Sequence, residues 1–113
     1  WATKANRLYL MRWPTYDIVN FCRDALGIRH DLDIIVSECC LKHEGAMGWT
    51  YDMHDNEIDI EIDESLGFQD KIITLCHEMV HAWQFSQGKE SNEEEALKLE
   101  LELYNKYKEK GRI

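Results

Sequence analysis

The chain has 113 residues, 44% of them hydrophobic, and a formal net charge of -9. Length and apolar content are those of one globular domain that buries a core without disulfides, which excludes a disordered chain. The negative field repels phosphate backbones and excludes direct, non-specific nucleic-acid binding, and no apolar run approaches a membrane span.

Residues 1–13 hold Leu8, Leu10 and Trp13 among polar residues, a pattern open between a short strand and a docked coil. Pro14 suits the first turn of a helix, where its missing N–H costs nothing. Ile18, Phe21, Cys22 and Ala25 then recur at helical spacing and Gly27 can end the element, so a helix is predicted over 14–26. Leu32, Ile34 and Val36 read as a strand, and a second candidate runs over 47–53 through Trp49 and Tyr51. The third is the cleanest, because Ile58, Ile60 and Ile62 alternate strictly with Glu57, Asp59, Glu61 and Asp63. That is a half-buried strand with an acidic outer face. Gly45, Gly48, Asp55 and Asn56 supply turns between these strands, and a small antiparallel sheet follows.

Two helices complete the chain. Asp70 is the expected N-cap of one running to Ser86, with Gly88 as its stop and Ile72, Cys76, Met79, Val80 and Trp83 as its apolar face. Ser91 and Glu94 form a capping box that opens the last helix, with Leu97, Leu101 and Tyr104 as its core-facing stripe. Lys106, Lys108 and Lys110 suit its C-terminal end. The expected fold class is α+β, with a small antiparallel or mixed sheet packed on an active-site helix and a glutamate-bearing helix after it. No repeat or linker divides residues 1–113, so a single domain is expected. Cys22, Cys39, Cys40 and Cys76 form no spaced disulfide framework, and no secretory pattern opens the sequence, although Trp1 is not an initiator. A cytoplasmic protein with reduced thiols is expected.

The segment His77-Glu78-Met79-Val80-His81 carries the chemistry. Residues four apart on a helix share a face, so both imidazoles can reach one ion. Glu78 directly follows the first of them and can take a proton from the water that zinc activates. A shuffled chain of this composition gives the five-residue pattern roughly once in fifty, so the pattern alone is modest evidence. Its setting in an apolar helix strengthens it, because buried histidines and a buried glutamate are costly unless something satisfies them. The plain alternative is a solvated helix face. A catalytic zinc site usually has three protein ligands, and no histidine follows His81. A turn through Gln87 and Gly88 folds the last helix back beside the first. That puts Glu93, on one face with Leu97, Glu100 and Tyr104, forward as the third ligand, with Glu94 as runner-up. Glu95 reads as solvated charge. Acidic residues are favoured in any first helical turn, so Glu93 also has an ordinary explanation.

His77-Glu78-Met79-Val80-His81 resembles the signature of the zincin metallopeptidases. Asn92-Glu93-Glu94-Glu95-Ala96 is similar to the second motif of their gluzincin branch, and chain length and element order look like the minigluzincins. His-Glu-Met-Val-His-Ala-Trp-Gln, at residues 77–84, is also similar to SprT-like proteins, which typically use a third histidine that is absent here. The resemblance covers roughly the last 60 residues. It implies Zn2+ held by His77, His81 and Glu93, with Glu78 as general base in peptide-bond hydrolysis. Gluzincins often place an aspartate four residues after the ligand glutamate, and here that position is Leu97. By the same resemblance, a peptide or protein substrate lies along an edge strand formed by residues 57–63. Charge protection of an ordinary sheet edge also explains that strand's acidic face.

Tyr104 is the first candidate for stabilising the oxyanion, with Tyr107, Tyr51 and His54 as others. Cys39, Cys40 and His43 suggest a second metal site, but their spacing fits no pair of zinc knuckles and they read as buried small hydrophobes. The rival readings are a non-catalytic or latent zinc-binding regulatory module, whose own tail at 106–113 fills the groove, and a structural helix protein without metal.

Overall fold

The computed structural model describes residues 13–111 and 113. The expectation for Leu8 and Leu10 lies outside the described residues. The elements are helix α1 (Thr15–Leu26), strand β1 (Asp33–Cys39), a 3-10 turn (Lys42–Glu44), strands β2 (Gly48–Asp52) and β3 (Glu57–Asp63), and helices α2 (Phe68–Ser86) and α3 (Glu93–Glu109). The class is α+β.

Pro14 caps α1 and its carbonyl accepts from Ile18 N–H at 3.0 Å. Gly27 closes the helix at φ 77°, a conformation that costs glycine least. Arg23 is buried and donates from Nη1 to the carbonyls of Arg29 and Leu32, at 2.7 and 2.9 Å, which fastens the turn into β1.

The three strands run in the order β1-β3-β2, with β1 parallel and β2 antiparallel to β3. The sheet is therefore mixed, one of the two forms expected. Residues 40–47 cannot make a tight hairpin, and they carry the chain across to the far side of the position β3 then fills. The expected edge strand at residues 57–63 is corrected. β3 is the central strand, consistent with burial of Ile58, Ile60 and Ile62, and β2 is the edge nearest the motif. The β2–β3 turn passes through His54 and Asn56 at φ 61° and 56°, left-handed positions that asparagine and histidine tolerate.

The inward row of isoleucines packs on α2, which also touches β2, α1 and α3. Leu75, Cys76, Met79 and Val80 are buried on α2. Cys22 on α1 meets Cys76 with the sulfurs 4.0 Å apart. α2 starts earlier than expected, with Gly67 as N-cap, and Asp70 instead sits in the first turn. α3 is capped by Asn92, whose side-chain oxygen accepts from Glu95 N–H at 3.0 Å, so the Ser91–Glu94 capping box is not formed. Its buried face is Ala96, Leu103, Tyr104 and Tyr107, while Leu97 and Leu101 stay 55% and 53% exposed. The small Ala96 can lie close against α2, and the Tyr107 hydroxyl donates to Asp17 on α1 at 2.7 Å, which fixes the roll of the helix. Among the described residues no helix is long and apolar enough to cross a membrane.

Asp63 ends β3 and holds the approach to α2. Its carboxylate accepts from the Ser65 hydroxyl and from Leu41 N–H at 2.9 Å, which keeps its pKa below the usual carboxylate value. A depressed folded-state pKa adds stability that is present above the ordinary pKa and is lost as pH falls through the folded value. Asp63→Asn should therefore unfold at lower urea than the parent at pH 7, and the gap should narrow at acid pH, below the ordinary carboxylate value. An equal gap at neutral and acid pH would remove the charge from this account.

Candidate metal centre

The apolar face of α2 anchors the helix, and the adjoining side carries His77, Glu78 and His81 toward a cavity. One helical turn separates the two imidazoles, whose centroids lie 5.0 Å apart at 77°. Glu93 opens α3 and faces both. Its Oε1 lies 2.6 Å from His77 Nε2 and its Oε2 lies 3.1 Å from His81 Nε2. All three prospective ligand atoms fall within 4.8 Å of one another. Among the described residues this is the one such group of three or more histidine, cysteine, aspartate or glutamate residues. Glu94, Cys40 and His43 are exposed, Cys39 is partly buried, and all four lie outside it.

The partners of the outer ring nitrogens fix where the protons lie. His81 Nδ1 is 2.9 Å from Gln84 Oε1 and 3.2 Å from Ser91 Oγ. Gln84 Oε1 also accepts from Asn92 N–H at 3.0 Å, so that oxygen is identified by a backbone donor. It can only accept, and His81 must donate from Nδ1. On His77, Nδ1 faces the half-buried Glu100 carboxylate at 3.5 Å, which also favours a proton at Nδ1. Both Nε2 lone pairs then point at a carboxylate, and three acceptors converge. Protons on the rings or one shared cation satisfy that arrangement, and the N2O donor set suits zinc. The residues present fit the metal.

Glu78 is buried, at 5% exposure, one residue from His77. Thr50 on β2 donates its hydroxyl to Glu78 Oε1 at 2.7 Å and lies 3.2 Å from the Glu78 carbonyl. Burial pushes this carboxyl up from its ordinary pKa, against the opposing pull of the Thr50 hydroxyl and the two imidazoles. The strand comes this close because residue 48 is glycine. A Cβ there would stand 2.9 Å from Thr74 Cγ2 and 3.1 Å from both Glu78 Cγ and the Glu61 carbonyl oxygen. Gly48→Ala should push β2 from α2, cost about 1–3 kcal/mol by overpacking, and stretch the Thr50–Glu78 bond. Thermal unfolding checks the first effect. An unchanged melting temperature would show that the strand yields freely.

The cavity has a volume of about 320 Å³. Met47, Trp49, Phe85 and Leu97 form apolar wall, and Thr50, His77, Glu78, His81, Ser91, Glu93 and Glu100 supply the polar groups. Tyr104 is not among its lining residues. It is buried on the core face of α3. Tyr107 bonds Asp17, Tyr51 bonds Glu61 on the outer sheet face, and His54 sits in the exposed β2–β3 turn beside Asp52. The described C-terminal residues do not fill the cavity, and Lys110 instead lies over Phe21 on α1. Thr50, Gln84, Ser91 and Glu100 carry roles that sequence reasoning missed. Gln84 offered one signal, as a polar residue three after His81 on a buried stripe. Comparison with protein-family models, curated proteins and solved structures returned no match.

Proposed function

We propose that this chain is a zinc-dependent peptidase that hydrolyses peptide bonds with Glu78 as general base. The observation that carries this reading is the convergence of His77 Nε2, His81 Nε2 and the Glu93 carboxylate beside a buried glutamate, in a cavity bordered by an edge strand. His77, His81 and Glu93 would hold the ion, which when bound supplies Lewis acidity toward the scissile carbonyl and lowers the pKa of water.

The chain's own groups account for the rest. An extended peptide pairs with the outer side of β2, and Met47, Trp49, Phe85 and Leu97 receive an apolar side chain. Thr50 holds Glu78 Oε1, leaving Oε2 to accept a proton from the attacking water. The water oxygen bonds to the carbonyl carbon, the C–N bond breaks, and Glu78 returns the proton to the leaving amine. A reducing, cytoplasmic setting suits the four free thiols Cys22, Cys39, Cys40 and Cys76.

The test is metal analysis of protein purified without added zinc, followed by incubation with a mixed-sequence peptide pool read by mass spectrometry. Cleavage should vanish with a chelator and return with zinc. Zinc retained without cleavage of any peptide would turn the reading to a binding module, and no affinity for zinc would end both.

A further inference from the structure

Gln84 is fully buried and uses every hydrogen-bonding group it has. Its Oε1 accepts from His81 Nδ1 at 2.9 Å and from Asn92 N–H at 3.0 Å. Its Nε2 donates to the Asn92 carbonyl at 3.0 Å and to Glu95 Oε1 at 2.9 Å. One amide thus grips both backbone groups of the α3 cap residue while it touches one of the two histidines. Burying an amide is unfavourable unless each group is paired, and a satisfied one admits few alternative arrangements.

We infer that Gln84 is a positioning residue of the metal centre, which fixes His81 with its proton on Nδ1 and locks the start of α3 so that Glu93 meets both imidazoles. The two functions are joined in one side chain. The accepting oxygen keeps the His81 Nε2 lone pair free for an ion. The donating nitrogen holds Asn92, the residue before Glu93, and Glu95, two residues beyond it. Neither a leucine nor a lysine of similar length can do both, because the site needs an acceptor and a donor on one planar group. Outer partners of ligand histidines typically govern metal affinity by 10–100-fold.

This inference rests on the proposed zinc site, but its first readout needs no metal. In the zinc-free wild-type chain, side-chain 15N NMR under conditions where the ring carries a single proton should show that proton on His81 Nδ1 and not on Nε2. An unprotonated Nδ1 overturns the inference even if zinc binds well. If wild-type protein takes up no zinc at all, the peptidase proposal falls, and the Nδ1 signal still decides the role of Gln84. Two variants divide its functions. Gln84→Glu keeps the accepting oxygen and loses the donor, so Nδ1 stays protonated while zinc affinity falls about 10–100-fold. Gln84→Met loses both, and the Nδ1 proton preference, left to the Ser91 hydroxyl at 3.2 Å alone, should weaken. Zinc affinity is read by competition with a chromophoric chelator, and circular dichroism confirms the fold. Gln84→Glu keeping wild-type zinc affinity at a lowered melting temperature would reduce Gln84 to a structural residue and overturn the inference, even if Gln84→Met does not fold.

Discussion

Glu78→Gln is expected to keep its zinc and lose peptide hydrolysis by about 10²–10⁴-fold, the range a general base contributes. The substitution is nearly isosteric, and the glutamine oxygen can still accept from Thr50, which now donates to Glu78 Oε1 at 2.7 Å. The fold should therefore tolerate it, and removing a carboxylate that burial opposes can even raise stability. What disappears is a group that takes a proton from water and returns it. Metal content, melting temperature and turnover of one cleaved peptide should be measured on the same preparation. Full turnover in zinc-loaded variant protein would eliminate Glu78 as the base and pass the role to Glu100, the other carboxylate that lines the cavity outside the ligand set.

Glu93→Ala should weaken zinc binding far more than Glu94→Ala. The Glu93 oxygens lie 2.6 and 3.1 Å from the two Nε2 atoms, whereas Glu94 is exposed and belongs to no such cluster. Losing a direct donor should cost more than the 10–100-fold typical of an outer partner, and Glu94→Ala should stay within twofold of the parent. Both residues lie in the first turn of α3, so both variants lose the same favourable charge near the helix dipole, on the order of 0.3–1 kcal/mol. A chelator competition assay on the pair therefore separates coordination from helix electrostatics. Equal losses of affinity would identify a general charge effect and displace Glu93 from the site.

The periodic elements were legible because their information is local. Ile58, Ile60 and Ile62 alternate with acids, and the strand occupies Glu57–Asp63. Pro14 and Gly27 bracket α1 within a residue of expectation. Sheet order was not legible, since nothing in β1 states that its neighbour is a strand made some twenty residues later. The face of α3 was misread because the exposed Leu97 and Leu101 outweighed the small Ala96 in any count of apolar side chains, while contact depends on how closely two helices can approach. The convergence of His77, His81 and Glu93 followed from helical spacing and the turn at Gln87–Gly88. Thr50 and Gly48 were missed because they come from a strand, and only tertiary packing brings a strand to a helix face.

The position of β3 has a kinetic consequence. The middle strand of the sheet is the last of the three described strands to leave the ribosome, so β1, with the apolar residues Ile34 and Val36, emerges before the described strand it pairs with. Until β3 has emerged, that apolar row lacks the strand that covers its edge, and transiently exposed surface of this kind favours aggregation. The β2–β3 hairpin closes a short loop and should form first; β1 then docks alongside it in parallel across a much longer stretch of chain. Translation slowed after β1 has emerged and before β3 has should therefore promote aggregation of the nascent chain, whereas a pause once β3 has emerged should not.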